Sequence, residues 1–220
     1  GWEVFPAFNN NHIYTERIHA GYVMAGNKFN KLSIQAGVRG EFSDIKTELT
    51  ETNESNPRQY LDLFPSINFG YEIGKDKTLQ LSYSKRINRP HFRDLLPFSN
   101  FSDTRNFFQG NPNLNPEYTH AFETGYLVNW DNGSILSSAY YRHRIGDIQR
   151  IVQVDNDGTT RIFPVNVGST DSYGLEFNFS YTVGKWWDIN SSANFFRSMT
   201  EGMFEGESLN RDTYAFHART

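Results

Sequence analysis

The chain has 220 residues and a net charge of -4, from 21 Lys and Arg against 25 Asp and Glu. So mild an acidity leaves no basic stripe for a nucleic-acid partner, and the absence of cysteine removes disulfide frameworks, thiol catalysis and cysteine-based zinc sites. Aromatic residues reach 16% while the hydrophobic total is 37% and mean hydropathy is -0.63, a pairing of large rings with polar surface unlike the usual soluble α/β enzyme. No run approaches the roughly 18 apolar residues of a spanning helix. Strands of a membrane barrel escape that test, because alternation makes them polar on average.

Along the chain, a weak alternating run near Ile13 to Ala25 precedes a clear one from Lys31 to Ser43. There Leu32, Ile34, Ala36, Val38 and Phe42 oppose Ser33, Gln35, Gly37, Arg39 and Glu41. Leu63, Pro65, Ile67, Phe69, Tyr71 and Ile73 repeat the pattern against Ser66, Asn68, Gly70 and Glu72, and Leu79, Leu81 and Tyr83 repeat it against Gln80, Ser82 and Ser84. Tyr118, His120, Phe122, Thr124, Tyr126, Val128 and Trp130 then oppose Thr119, Ala121, Glu123, Gly125 and Asn129. After a weaker run from Ser134 to Ile151, Tyr173, Leu175, Phe177, Phe179 and Tyr181 oppose Gly174, Glu176, Asn178 and Ser180. Weaker runs at Ile189 to Ser198 and Thr213 to Ala218 complete a set of about nine strands, without a convincing amphipathic helix.

The connections alternate in length. Short ones, rich in Gly, Asn, Asp or Lys, fall at Gly26 to Asn30, Gly74 to Lys77, Asp131 to Gly133 and Val183 to Lys185. Long ones fall at Asp44 to Gln59, Asn88 to Pro116, Val152 to Thr170 and Met199 to Asp212. In an up-and-down meander all short turns emerge at one end and all long loops at the other, the asymmetry of outer-membrane barrels. Tyr22, Phe29, Tyr71, Tyr126, Trp130, Tyr181, Trp186 and Trp187 lie near short turns and are expected to form an interfacial girdle. The competing reading is a soluble all-β sandwich that binds carbohydrate or another ligand, whose core would alternate equally. The expected fold is an antiparallel up-and-down transmembrane β-barrel, here a partial barrel.

The segment from Ser84 through Lys85, Arg86, Arg89 and Pro90 to Gly110, Asn111, Pro112, Leu114, Pro116 and Glu117 resembles the TonB-dependent receptor family and related outer-membrane barrels. Gly37-Val-Arg-Gly-Glu41 and Gly174-Leu-Glu176 are similar to strands of the same family. The resemblance implies a barrel of about 22 strands around a plug in the bacterial outer membrane. It implies uptake of an iron chelate, oligosaccharide or peptide by the full-length protein. Its partners would be outer-membrane lipid, the plug domain of the same protein and a TonB complex acting on an amino-terminal part. A surface lipoprotein partner is left open, as is a barrel that serves adhesion without import. Residues 1–220 would form part of one barrel domain, with plug, TonB-contacting box and aromatic carboxy-terminal residue outside this chain. Independently of the family, Pro112 and Pro116 fix φ and withhold ladder donors, so Asn111 to Pro116 should be an extended, non-sheet clamp.

Chemistry of other kinds finds little support. The histidines at 12, 19, 91, 120, 143 and 217 have no metal-ligand spacing, and no nucleophile elbow, phosphate loop or dinucleotide fingerprint is present. No cofactor, no metal and no catalytic residue is expected. Asp155-Asn-Asp-Gly-Thr159 resembles the start of a calcium loop without its later ligands and reads better as a hairpin tip. Arg39, Glu41, Glu72, Glu123 and Glu176 fall on wet faces, which in a barrel line the lumen. Candidate ligand contacts on the long Asn88 to Pro116 connection are Arg89, Arg93, Phe98, Phe101, Arg105, Phe107 and Phe108, since guanidinium and ring on a scaffolded loop suit anionic or ring-bearing ligands.

Overall fold

Alternation along the chain becomes a single antiparallel sheet. A computed structural model describes residues 11–50, 53–96 and 105–220. Its strands are β1 (His12–Phe29), β2 (Leu32–Leu49), β3 (Glu54–Gly74), β4 (Lys77–Asn88), β5 (Asn106–Phe108), β6 (Glu117–Trp130), β7 (Gly133–Val154), β8 (Thr160–Val183), β9 (Trp187–Glu201), β10 (Met203–Phe204), β11 (Glu207–Ser208) and β12 (Arg211–Arg219). The order is β1-β2-β3-β4-β6-β7-β8-β9-β12, so every long strand pairs with its neighbour in sequence, and the sheet is not closed. That is an up-and-down meander, the topology that minimises sequence separation between paired strands.

Short turns sit where Asn, Asp, Gly and Lys cluster: Asn30 and Lys31, Lys75 and Asp76, Asp131 and Asn132, and Gly184 to Trp186. Asn30 at φ 53° and Gly184 at φ 63° supply the left-handed residues that such tight hairpins require.

At the opposite end the structure corrects the reading of the connections. β2 and β3 stay paired out to Leu49 and Glu54, and β7 and β8 out to Val154 and Thr160. The stretches Asp44 to Gln59 and Val152 to Thr170 are therefore mostly strand, and between Met199 and Asp212 the small β10–β11 hairpin interrupts the connection. Greasy-wet alternation marks contact with an apolar medium; backbone pairing continues past that medium, where on β2 the apolar residues Ile45 and Leu49 change to the other face and the greasy one turns polar. Among the described residues only the connection from β4 to β6 is a long one, and it contains the 3-10 turn Phe92–Leu95 and the short β5, which pairs parallel with the outer end of β8. Neither carries a periodic signal long enough to read.

Buried apolar residues are few and concentrated. Ile45, Leu49, Phe64, Leu95 and Leu114 gather where this connection meets β2 and β3, while Tyr140, Val165 and Val167 lie on β7 and β8.

Candidate functional site

Directly opposed residues of an antiparallel pair share a face, so the registers sort every side chain. Glu41 opposes Asp62, Arg39 opposes Phe64, Ser82 opposes Glu123, Glu123 opposes Tyr140 and Ser138 opposes Glu176. Glu72, even-numbered on β3 like Asp62 and Phe64, opposes Thr78. Arg39, Glu41, Glu72, Glu123 and Glu176 thus stand on one face, called inner because the β4–β6 connection folds onto it. The lower inner wall between the short turns and that connection is lined by Ser33, Gln35, Asn68, Gly70, Gln80, Ser82, Glu123 and Gly125. The outer face is the reverse. Leu61, Leu63, Leu81, Leu175, Phe195 and Phe216 are each at least 49% exposed, an apolar surface far larger than water tolerates on one side of a sheet.

The connection crosses the inner face at the end away from the short turns. Pairing of β3 with β4 runs only to Ser66 and Ser84. Beyond this the β4–β6 corner turns toward the inner side of β3: Tyr118 donates to Asp62 at 2.9 Å, and the Lys85 ammonium lies 5.0 Å from the Tyr118 ring and 5.9 Å from that of Phe64. Arg89 then reaches across to donate to Glu41 at 2.7 Å, Ser43 at 2.8 Å and Tyr60 at 3.1 Å. Both charges are largely hidden, with side-chain exposures of 17% for Arg89 and 6% for Glu41. Buried charge survives only when paired and hydrogen-bonded in this way.

Further along, Gly110 to Glu117 ties the wall together from side to side. Arg58 of β3 donates to the carbonyls of Pro112 and Leu114, and Asn56 donates to Pro112 at 3.2 Å. Asn111 donates to Pro164 of β8 at 3.1 Å, Asn166 donates to Asn115 at 3.0 Å, and the Asn115 N–H donates back to Asn166 at 2.8 Å. Glu117 accepts from Asn88 at 2.5 Å and from the Ile148 N–H at 2.7 Å. Side chains of Asn111 and, from the strands, of Asn56, Arg58 and Asn166 serve backbone groups that no ladder pairs, which is how a non-sheet segment stays buried. The segment is a clamp, as its prolines imply, but it bends: the Asn113 N–H closes on the Asn111 side chain at 2.9 Å. Leu114 is 1% exposed beneath it. The space left beside Tyr14, Arg58 and Leu114 is about 20 Å3, room for one water and not for a ligand.

The whole chain, residues 1–220, matches the model of an outer membrane protein beta-barrel family. The chain belongs to that family. Its outer face is therefore the lipid face and its inner face the lumen wall of a bacterial outer-membrane barrel. No curated protein sequence matches it. Among solved structures it is similar to "Copper transporter OprC", with a TM-score of 0.66 at 14% identity over 89% of this chain and 31% of that one. It is also similar to the Serratia marcescens hemophore receptor HasR, at 0.65 and 15% over 85% and 34%, and to the Bordetella pertussis alcaligin receptor FauA, at 0.60 and 14% over 94% and 34%. These likenesses concern the fold, and the chain spans about a third of each of those proteins.

In this barrel the lipid-facing band has two edges. At the lower one, Phe29, Tyr71, Tyr126, Trp130, Tyr181 and Trp187 share the outer face near the short turns, and Trp186 sits within one. Tyr22 does not join them: it opposes Arg39 and so stands on the inner face, midway along β1. The upper edge has no counterpart in the sequence reading. About ten residues from the short turns, the distance a tilted strand needs to cross, outer-face tyrosines meet charge. Tyr141 donates to Asp171 at 2.6 Å beside His143, whose Nδ1 lies 2.8 Å from the same carboxylate. Arg197 makes paired contacts of 2.9 and 2.7 Å with Asp212, and its guanidinium lies 5.2 Å from the Tyr214 ring. Its tell was a charged or polar residue breaking an apolar stripe in each of several strands at matching height.

The candidate ligand contacts part company. Arg89 is committed to the Glu41 network. Arg93 lies 5.9 Å from the Phe92 ring on the 3-10 turn, and Phe108 on β5 sits 5.4 Å from Arg150, which also pairs with Asp94 at 3.5 Å. Phe107 lies beside Phe108 on β5, and Arg105 directly precedes it, its carbonyl accepting from Thr160 at 2.7 Å. Phe98 and Phe101 lie outside the described residues. At the β7–β8 tip Asp157 accepts from the Thr159 N–H at 2.9 Å and Asp155 pairs with Arg161 at 2.7 Å, so both carboxylates serve the turn. Thr159 holds the Asp157 carboxyl below its ordinary range. Among the described residues no group of His, Asp or Glu is arranged to hold a metal ion. Arg58, Asn56, Asn166 and Tyr60 hold the clamp unforeseen. Arg58 and Tyr60 continue the wet parity of Asp62, but nothing local names their partners.

Proposed function

We propose that this chain is one section of the wall of an outer-membrane receptor whose full-length form takes up a scarce nutrient, an iron chelate, an oligosaccharide or a peptide, with energy delivered by a TonB complex through a plug domain. The observation that supports the reading is the inner wall. Its lower half is small and polar, from Ser33 and Gln35 across Asn68 and Ser82 to Glu123. Such a surface belongs against water or another polar domain, and a barrel that size leaves room for both. Over it the clamp holds Phe107, Phe108 and the 3-10 turn at the outward-opening end, where a solute would arrive. Arg93, Arg105, Phe107, Phe108 and the segment between them, including Phe98 and Phe101, are the surface proposed to meet it, with Arg89 as the anchor that holds this segment in place.

The test is uptake of labelled ferric chelates, oligosaccharides and peptides by cells with and without the gene, each with and without a protonophore. The reading expects one class to accumulate only in energised cells carrying the gene. Gene-dependent accumulation that a protonophore leaves untouched would make the barrel a passive pore.

A further inference from the structure

The inner wall carries a cationic cluster that no clamp contact uses. Thr119 of β6 opposes Arg86 of β4 and Arg144 of β7, and Ala121, one step along the same face, opposes Ser84 and Arg142. Arg86, Arg142 and Arg144 therefore surround a floor of Thr119, Ala121 and Ser84, with strand spacings that place Arg86 and Arg144 roughly 10 Å apart. The floor side chains, Thr119, Ala121 and Ser84, are short and carry no charge.

Their commitments differ. Arg144 pairs with Asp147 at 3.0 Å. The Arg142 guanidinium stacks over the Tyr140 ring at 4.2 Å, while Tyr140 donates to Asn194 at 3.1 Å, which fixes the platform. Arg142 and Arg86 are exposed, and among the described residues neither has a carboxylate within ion-pair distance. Two further carboxylates flank the cluster on this face by register: Glu117, one step beyond Thr119, is engaged by Asn88 and the Ile148 N–H, and Glu123, one step beyond Ala121 toward the short turns, has no ion-pair partner among the described residues. Arg142, over the Tyr140 ring and without an ion pair among the described residues, keeps a planar fork of donors, and such a fork suits oxyanions.

We propose that Arg86, Arg142 and Arg144 form a binding site on the lumen wall for an oxyanion group, carboxylate or phosphate, carried by the solute that the barrel admits. This rests on the uptake reading and gives its substrate a chemical class: an anion. The site lies on the lumen side of the clamp, so the clamp segment and the cluster would be met in succession by a solute moving inward.

The test uses the full-length protein in detergent, titrated calorimetrically with citrate and with inorganic phosphate at low salt. Comparison is with Arg86→Gln, Arg142→Gln and the double variant, each checked for a native barrel by its mobility on unheated gels. The expectation is a loss of about tenfold in affinity for each arginine removed, partial recovery with Arg142→Lys, and weakening by salt. Both anions are probes of one chemistry, and their ratio tells carboxylate from phosphate recognition. Unchanged affinity in the double variant would overturn the proposal, as would absence of binding by the native protein, which would mean that an acidic surface of the same protein already occupies the cluster. Because binding is measured on purified protein without energy coupling, a failure here is separable from a failure of uptake.

Discussion

At the scale of single residues, the clamp depends on a few contacts that admit no substitute. A Cβ on Gly110 would fall 2.7 Å from the Leu96 nitrogen and 2.8 Å from the Arg93 carbonyl oxygen, and backbone atoms on both sides cannot yield. Gly110→Ala is expected to loosen the segment, read as faster protease cleavage between residues 88 and 116 with the rest of the barrel intact. Arg89→Gln leaves Glu41 with one of its two cations, Arg39 at 2.9 Å, and should cost about 1–3 kcal/mol. Removing both charges in the double variant with Glu41→Gln should cost less than the sum, a coupling that urea unfolding of the folded barrel can measure. Asp147 lies above the lipid band, on the part of β7 beyond Ile145. Burial there would push its carboxyl up, but hydrogen bonds from Gln149, Thr170 and Arg144 outweigh it and hold the group below its ordinary value of 3.8. A depressed carboxyl gives stability that is complete above that value and is lost as pH falls through the folded-state pKa. Asp147→Asn should therefore flatten the acid arm of a stability profile and leave its neutral region lower.

At the scale of elements, what was legible followed the medium. Leu175, Phe177 and Phe179 announce a strand because lipid selects one face and the lumen the other. The short turns announce themselves because a two-residue hairpin needs Asn, Asp or Gly. Past the band lipid no longer selects the outer face and the apolar phase changes, Ile45 and Leu49 turning inward, so Asp44 to Leu49 and Val152 to Val154 read as loop although their ladders continue. Gly110 to Glu117 could be read as a clamp from its prolines, yet its partners, Arg58 and Asn166, lie more than fifty positions away in sequence. Composition marks the ligand candidates on this connection, and composition cannot tell an arginine aimed at solvent from Arg89, held by Glu41. The face assignment makes a direct expectation: Leu81→Arg, on the lipid side, should cost about 2–4 kcal/mol of folding free energy in vesicles. Ser82→Arg, its neighbour on the lumen side, should cost little.

At the scale of the whole molecule, two faces and two ends define the account. The tip between β2 and β3 and the tip between β7 and β8 point one way, and the short turns the other. An epitope inserted at Gly158 should label intact cells, whereas one inserted between Lys75 and Asp76 should label only permeabilised cells. The central claim, that one face of this sheet meets lipid and the other the lumen, is open to a sharper measurement because the chain has no cysteine of its own. Single cysteines placed in turn from Gly174 to Phe179 of the full-length protein, spin-labelled in its membrane, report access to oxygen from lipid and to a water-soluble relaxing agent. Leu175, Phe177 and Phe179 should favour oxygen, and Gly174, Glu176 and Asn178 the aqueous agent, a two-residue alternation along β8. Equal access at both sets of positions would contradict the account.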